Sequence, residues 1–394
     1  MMFLQYLMLP VWLVPLLPYV QSLDGGSEWV FACGLLMGIG TLASPFVGMF
    51  ADRFLNAEKV LAVCNIAVAA LLASAFFITS PATLFWVLLL SMLVYMPTWS
   101  ISSAIAMAHS SEASFPRLRA FGSVGWVASG FFSLIGTSLF GIGAFDSSRW
   151  IFASGSLSAL MAALLAFVLP ATAPRAKGSR MSVVDALGLK AFALFRDPVF
   201  AVFGVLITLS MIPFSWYVAY NAVYLAESGF RHLTFTQNLG QAAEIGFMLL
   251  VPSVIGRFGY RWAMVTGILA ISLRYVCFLG AVELGFAPGD FGGILIHGLA
   301  FGILCIGSQM YVAECAPGEL KNQAQGLIML LTTGIGVFLS NFIFHRILER
   351  SVVSSDPLRH DWSKPYAIAL AMSLALAFAM AAFFRPGQKG KSAS

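Results

Sequence analysis

The stretch VLAVCNIAVAALLASAFFI, residues 60–78, decides the fold, because its nineteen residues contain no charged side chain. A second stretch near the end of the chain, AIALAMSLALAFAMAAFF at 367–384, has the same character. A helix needs about 20 predominantly apolar residues to cross the hydrocarbon layer of a bilayer. Both stretches are therefore predicted to be membrane-spanning helices.

The composition of the whole chain agrees with this interpretation. Of 394 residues, 59% are hydrophobic and only 10% are charged, whereas about 25% are charged in an average soluble domain. Such a chain has too few polar side chains to cover a water-facing surface, which excludes a soluble globule, and it is too apolar to be disordered. A transmembrane β-barrel is also excluded, because its segments of about ten residues alternate in polarity.

Further apolar stretches of this length give twelve predicted transmembrane helices, six on each side of one long charged linker. They lie near 3–22, 28–50, 60–79, 82–108, 118–141, 149–170, 197–225, 237–255, 262–283, 290–314, 322–346 and 364–384. We therefore expect an all-α integral membrane protein. Its predicted parts are an N-terminal six-helix bundle at 1–170, a linker at 171–196, a C-terminal six-helix bundle at 197–384 and a tail at 385–394.

The distribution of Lys and Arg predicts the orientation in the membrane. Fifteen of these residues fall on the side of the linker, six fall on the opposite side, and Arg274 lies inside a span. Because cytoplasmic loops carry the excess of positive charge, we expect both termini and the linker to be cytoplasmic, in a bacterial-type inner membrane. The net charge of +5 follows from this topology, and no basic stripe of a nucleic-acid-binding protein is present. The loop at 347–363 is the exception, because it contains positive residues although it is predicted to lie on the side opposite the linker.

The loops after the second helix of each half have similar sequences that combine glycine with arginine. The first reads GMFADR and contains Gly48, Asp52 and Arg53, and the second reads PSVIGRFGYRW at 252–262. The first resembles the G-x-x-x-D-R loop of the major facilitator superfamily. The second resembles the weaker version of this motif in the C-terminal half of that superfamily. Glycine lets two helices approach closely, and an Asp near a helix end can pair with Arg, so these residues are expected to latch the cytoplasmic ends of the two bundles. The alternative is that Asp52 and Arg53 only set the topology.

Glu244 is the acidic residue placed deepest in a predicted span, roughly 10 Å from the start of the helix near position 237. An ionisable group at this depth is costly and indicates function. We expect Glu244 to exchange the coupling proton of a transporter. The alternatives are a carboxyl group neutralised by a permanent partner and a carboxyl group that only accepts a hydrogen bond from the substrate.

Two other groups in the same half are also placed deep. Gln241 and Asn238 precede Glu244 at helical spacing, so this polar line is expected to face a wet cavity, the alternative being hydrogen bonds between helices. Arg274 lies at a depth similar to that of Glu244. An ion pair with Glu244, a bond to backbone carbonyls and contact with substrate all remain open for it.

The fifth and tenth spans each carry a candidate binding surface. Arg119, Ser123 and Trp126 share one face of the fifth span, and this set suits a flat polar ligand that both stacks and hydrogen-bonds. The alternative is a positive-inside anchor beside a packing aromatic residue. In the tenth span, His297 and Phe301 form an i, i+4 pair, and His297 competes with Glu244 as a proton carrier. No catalytic or metal-binding motif is present, so we expect neither an enzyme nor a cofactor beyond the coupling proton.

Several segments together resemble the nucleoside:proton symporter family within the major facilitator superfamily. They are LSMLVYMPTWSISSAIA at 90–106, FPRLRAFGSVGW at 115–126, LGQAAEIGFMLLVPSVIGRFGYRWAMVTGILAISLRY at 239–275 and ECAPGELKNQAQGLIMLLTTGIG at 314–336. The resemblance implies two six-helix bundles that flank a substrate site near the bilayer midplane. It also implies proton-coupled nucleoside uptake by alternating access.

The resemblance implies a substrate site on four helices. The residues that it assigns to this site are Arg119, Ser123, Trp126, Asn221, Gln241, Glu244, His297 and Phe301. The sequence departs from the family at two points. His297 stands where the family has Tyr, and the seventh span offers Ser215, Tyr217 and Asn221 without a clear pattern of amides. Ligand identity is therefore less constrained than ligand class.

The predicted function is that of a symporter whose partners are a small nucleoside and the lipid bilayer, acting as a monomer. Two rivals remain. One is a symporter of the same fold that carries a sugar or another small polar solute. The other is a membrane sensor that binds its ligand without transporting it.

Overall fold

The computed structural model describes residues 1–43, 55–110, 115–174, 189–317, 320–355 and 358–386. Most of these residues are helical, and the strands among them form one short hairpin. Large apolar side chains such as Phe77, Trp86 and Phe167 point outward and are exposed. Apolar residues on the outside of a helical chain are typical of surfaces that face lipid. The chain is an all-α integral membrane protein.

The chain forms two compact units. The first comprises Met1–Ala186 and Tyr217–Ala242, and the second comprises Leu187–Trp216 and Ala243–Ser394. The helices Pro198–Glu227 and Leu233–Met248 therefore each contribute residues to both units.

Proline breaks the first predicted span into three short helices, because a proline inside a helix removes one hydrogen bond and crowds the preceding turn. The breaks lie close to Pro10 and Pro15. Ser80 begins a later span by accepting a hydrogen bond from the amide of Thr83, with Pro81 at the first helical position. The helices up to the linker are Met2–Leu7, Pro10–Leu13, Leu16–Gln21, Val30–Gly34, Leu36–Thr41, Ala57–Ala75, Pro81–Tyr95, Pro97–Ala108, Phe115–Ala128, Gly130–Ser138 and Trp150–Ala166, with short 3-10 turns at Gly26–Trp29 and Phe145–Ser147.

Two turns of π-helix interrupt the tenth and eleventh predicted spans, at Gly302–Ile306 and Leu330–Gly336. Such turns widen a helix locally and are frequent at functional sites. The helices after the linker are Pro198–Glu227, Leu233–Met248, Val251–Leu284, Pro288–Leu295, His297–Phe301, Gly307–Cys315, Lys321–Met329, Val337–Glu349 and Ser363–Phe383, preceded by a 3-10 segment at Leu189–Arg196.

Each predicted span has helical residues in its place. Nine helical stretches in the described part of the chain are long and apolar enough to cross a membrane. Shorter helices occupy three further predicted spans, namely Val30–Gly34 with Leu36–Thr41, Trp150–Ala166 and Leu233–Met248. The predicted boundary between the eighth and ninth spans is a sharp kink inside Val251–Leu284, where Gly259 adopts a left-handed backbone with φ of 73°.

A small hairpin that the sequence did not predict lies in the loop at 347–363. Its antiparallel strands are Val352–Ser355 and Leu358–His360, with a bulge between Val352 and Ser354. The amide of Asp361 then donates to the carbonyl of Ser351 at 2.7 Å and closes the loop. A short folded cap therefore joins the last two spans.

Candidate functional site

In the first unit, Arg119 and Trp126 are connected by a chain of aromatic rings. The guanidinium carbon of Arg119 lies 4.2 Å from the centre of the Tyr6 ring. The rings of Tyr6 and Trp99 are stacked with 4.8 Å between their centres, and the rings of Trp99 and Trp126 meet edge to face with 6.5 Å between their centres. Arg119, Ser123 and Trp126 are each half-buried on this helix. A cation and several ring faces therefore lie close together in the first unit, and the binding role of Arg119, Ser123 and Trp126 stays a prediction.

A buried polar network holds the rings of the first helix and of the Pro81–Ala108 region in register. The Gln5 amide donates to Asn65 Oδ1 at 3.2 Å and to Thr98 Oγ1 at 2.5 Å. The hydroxyl of Tyr95 donates to the Gln5 carbonyl, and Trp99 Nε1 donates to the Tyr95 hydroxyl at 2.8 Å. Buried polar groups with satisfied partners fix the orientation of the side chains around them.

Glycine allows the helix Phe115–Ala128 to lie directly against the first helix. A Cβ atom on Gly125 would be 2.1 Å from the Phe3 carbonyl oxygen, and one on Gly122 would be 2.9 Å from both Arg119 and Tyr6. Gly122 and Gly125 therefore allow a close approach that a larger side chain would prevent. It brings the Arg119 side chain onto the Tyr6 ring.

Asn238 does not line a wet cavity as the sequence suggested. Its amide donates to the carbonyl of Trp126 at 3.0 Å and to Ser129 Oγ at 2.9 Å, and the residue is buried. Gly130 packs against the backbone of Phe235 at the same crossing, where a Cβ would be 2.7 Å away. Polar side chains in membrane proteins often hydrogen-bond from one helix to another, and Asn238 serves as such a helix–helix contact. One turn further along, Gln241 is half-buried.

The seventh predicted span places its polar candidates inside the protein. Ser215, Tyr217 and Asn221 are all buried. Asn221 is 3% exposed, and neither its amide nitrogen nor its carbonyl oxygen has a hydrogen-bond partner among the described residues. A buried amide without a partner is costly, which fits a group that binds a ligand.

In the second unit, Glu244 and His297 lie on adjacent, tightly packed helices. A Cβ atom on Gly298 would be 2.4 Å from the backbone nitrogen of Glu244, so the two backbones touch at this point. Glu244 is 7% exposed and His297 is 2% exposed. The absence of a side chain at Gly298 therefore brings the predicted proton carrier next to the predicted binding residue His297.

Three rings form an aromatic group around His297. The ring of Phe214 stacks on the His297 ring, with 5.4 Å between the ring centres. The centre of the Phe301 ring lies 6.3 Å from that of Phe214 and 5.9 Å from that of His297. The sequence predicted His297 and Phe301 but missed Phe214. Its position on a helix rich in phenylalanine carried no distinguishing signal.

Arg274 is fully buried beside this aromatic group. Its NH2 nitrogen lies 3.2 Å from His297 Nδ1, and its guanidinium carbon lies 5.5 Å from the centre of the Phe214 ring. The sequence left the partner of Arg274 open. The structure places His297 within hydrogen-bond distance of Arg274.

A second buried carboxyl group, on Asp146, was missed by sequence reasoning because it lies in a short loop between two spans. Asp146 accepts hydrogen bonds from Ser133 Oγ at 2.6 Å and Thr234 Oγ1 at 2.7 Å. The Ser133 hydroxyl also lies 3.2 Å from His232 Nδ1. Burial raises the pKa of the Asp146 carboxyl above its usual value, although the hydroxyl donors act in the opposite direction. Asp146 ties the fifth span to the beginning of the helix Leu233–Met248.

Gly48, Asp52 and Arg53, the predicted latch, lie outside the described residues. Among the described residues, no group of three or more His, Cys, Asp or Glu side chains is arranged to hold a metal ion.

The fold and these buried polar groups define a class of protein. Helices long and apolar enough to span a membrane, with ionisable side chains and aromatic rings buried along their length, are typical of secondary transporters. The crystal structure of the nucleoside transporter NupG has the same fold. The match has a TM-score of 0.83 at 25% identity and covers 98% of this chain and 97% of that chain. The protein is a helical transporter of the major facilitator type.

Comparison of sequences identifies the family within that class. The family profile described as Nucleoside H+ symporter matches residues 1–389. The putative nucleoside transporter YegT of Escherichia coli strain K12 is 32% identical over 395 residues, covering 98% of this chain and 92% of YegT. Xanthosine permease from the same strain is 28% identical over 402 residues, covering 96% of this chain and 92% of the permease. The chain belongs to the nucleoside H+ symporter family.

Proposed function

We propose that the protein carries nucleosides into the cell together with protons by alternating access. Membership of the nucleoside H+ symporter family supports the substrate class and the coupling ion. The observation that carries the proposal is the burial of Glu244, which is 7% exposed in a membrane helix and whose backbone packs against Gly298, the residue that follows His297. A buried carboxyl group can bind and release a proton as its surroundings change.

The proposed binding site distributes two kinds of contact over the nucleoside. Arg119, Gln241 and Glu244 bind polar groups of the ribose and the base, while Trp126 and Phe301 stack on the base. Ser123, Asn221 and His297 add hydrogen bonds. Asn221 supports this assignment, because its buried amide has no partner among the described residues.

Glu244 is the proposed site of the coupling proton, and the chain needs no cofactor. Gly48, Asp52 and Arg53 form the proposed latch between the cytoplasmic ends of the bundles. The transporter acts as a monomer in the cytoplasmic membrane, with both termini in the cytoplasm, which the fifteen-to-six bias of positive residues supports.

Uptake of radiolabelled uridine and adenosine into proteoliposomes tests the proposal, with and without an inward proton gradient. We expect accumulation above equilibrium only with the gradient. Glu244→Gln should abolish this accumulation, because an amide cannot exchange a proton. Glu283→Gln is the matched control, since Glu283 is an exposed acid at the end of Val251–Leu284, and it should transport normally.

Three outcomes would count against the proposal. Full gradient-driven uptake by Glu244→Gln would show that Glu244 is not the coupling residue. Competition of uptake by disaccharides but not by nucleosides would favour the sugar symporter. Binding of nucleosides by well-folded protein without any transport would favour the sensor.

A further inference from the structure

Arg274 and His297 form a buried pair whose chemistry goes beyond the proposed roles of the site. The Arg274 NH2 nitrogen lies 3.2 Å from His297 Nδ1. Arg274 is 0% exposed and His297 is 2% exposed, so water does not screen the pair. Stacking on Phe214 at 5.4 Å fixes the plane of the imidazole, and Tyr275 donates its hydroxyl to the Pro213 carbonyl next to Phe214.

The chemistry of arginine determines which hydrogen the imidazole carries. A guanidinium group has five N–H donors, no acceptor and a permanent positive charge. At hydrogen-bond distance from it, His297 Nδ1 must therefore be the acceptor and must lack a hydrogen. A hydrogen on Nδ1 would remove this bond, and protonation of both ring nitrogens would also place a second positive charge beside the first in a poorly solvated site.

We propose that Arg274 is a positioning residue that holds His297 as the neutral tautomer with its hydrogen on Nε2, so that Nε2 donates to an acceptor oxygen of the bound nucleoside. This inference rests on the proposed function. It assigns His297 a fixed donor role where the family has Tyr, and it leaves Glu244 rather than His297 as the proton carrier.

The other ionisable groups around His297 are compatible with this assignment. Glu244 comes from the helix packed against Gly298, Tyr275 lies one residue after Arg274, and Cys305 follows two turns along the same span. Glu244 is the one acid in this set. With His297 held neutral, His297 binds the ligand and Glu244 exchanges the proton.

The protonation of His297 can be measured directly by NMR of protein labelled with ¹⁵N-histidine. The chain has five histidines, and the His297→Phe spectrum assigns the signal that disappears. We expect an unprotonated Nδ1 and a hydrogen on Nε2 from pH 8 to pH 5. In Arg274→Met, an imidazolium fraction should appear in this range, whereas Arg274→Lys should keep His297 neutral. A hydrogen on Nδ1 in the wild type, or identical titrations in all three proteins, would overturn the proposal.

A double-mutant cycle on uridine binding distinguishes positioning from a general structural role. Arg274→Met and His297→Phe should each weaken binding about tenfold, the effect expected when one hydrogen bond to the ligand is lost. His297→Phe keeps a ring against Phe214. If Arg274 acts through His297, the double variant binds only about tenfold more weakly. A loss near a hundredfold would mean that the two residues act independently and would contradict the proposal.

The two experiments also separate this inference from the proposed function. A wild type that binds no uridine or adenosine contradicts the proposed function and, with it, the donor role of Nε2. The NMR spectrum still decides whether Arg274 fixes the tautomer, because that measurement needs no ligand. If Arg274→Met does not fold, a hydrogen on Nδ1 in the wild type, or an imidazolium fraction in Arg274→Lys, still overturns the proposal.

Discussion

At the scale of single residues, Arg119 offers a sharp test of the binding surface in the first unit. Its guanidinium carbon lies 4.2 Å from the Tyr6 ring centre, whereas Arg149 lies 4.7 Å from the ring of Phe76 with no assigned role in binding. Lysine keeps the charge but loses the planar, bidentate group. We expect Arg119→Lys to weaken nucleoside binding about tenfold and Arg149→Lys to change it less than about twofold.

Equilibrium binding of labelled uridine to purified protein measures both variants. Equal losses of binding affinity in the two variants would show that arginines stacked on rings stabilise the fold in general. Arg119 would then have no specific role in binding.

The burial of a residue was predictable where an ionisable side chain stands alone in an apolar span. Glu244, Arg274 and His297 were all singled out by their depth, and all three are buried. The partners were not predictable, because a hydrogen bond between helices depends on packing that one sequence does not display. Asn238 was expected in a cavity and instead binds the carbonyl of Trp126. Phe214 was missed for the same reason.

At the scale of elements, Gly259 makes the kink that separates two spans within Val251–Leu284. Its φ of 73° and ψ of 167° are adopted almost only by glycine and cost other residues about 1–3 kcal/mol, although a Cβ there would meet nothing within 4 Å. Gly280 lies in the same helix, also in open space, with ordinary helical geometry. We expect Gly259→Ala to lower the melting temperature, while Gly280→Ala leaves it unchanged or raises it, since alanine favours helices by about 1 kcal/mol.

Thermal unfolding of the two variants in detergent checks this comparison. A Gly259→Ala protein as stable as the wild type would mean that the kink does not require a left-handed residue.

Asp146 connects elements and predicts a pH dependence of stability. Burial raises its pKa in the folded protein, so the folded state binds this proton more readily than the unfolded state does. Its contribution to stability is therefore full below the unfolded pKa of about 3.9 and is lost as the pH rises through the folded value. Asp146→Asn lacks this titration. Relative to the wild type, the variant should gain melting temperature as the pH rises from the unfolded pKa through the folded value.

The measurement is a series of melting curves for both proteins across this pH range. Ser147→Ala serves as a control, since it changes the same turn without removing the carboxyl group. Parallel curves for the wild type and Asp146→Asn would contradict the buried, titrating carboxyl group.

Elements were predictable to different degrees for a physical reason. Membrane spans need continuous apolar sequence, so all the predicted spans have helical residues in their places. The hairpin at Val352–Ser355 and Leu358–His360 was missed because such short strands carry little periodic signal. The π-helical turns at Gly302–Ile306 and Leu330–Gly336 were missed because they arise from packing within the bundle.

At the scale of the whole molecule, two compact units share the two helices Pro198–Glu227 and Leu233–Met248. Candidate binding residues occur in both, with Arg119, Ser123 and Trp126 in the first unit and Glu244, His297 and Phe301 in the second. Each unit therefore carries its own set of candidate residues, which substitutions can test separately.

The orientation of the whole molecule predicts which loops face the outside. If both termini lie in the cytoplasm, as proposed, the hairpin is extracellular or periplasmic and Arg385 is cytoplasmic. Val353 is 68% exposed in the hairpin, and Arg385 is exposed just after the last helix. In cells whose outer barrier is permeable to it, a membrane-impermeant maleimide should label Val353→Cys directly but Arg385→Cys only after lysis. The wild type, with five free cysteines in or at the ends of apolar segments, gives the background. Labelling of Arg385→Cys alone in intact cells would reverse the topology and would show that the fifteen-to-six bias does not orient this chain.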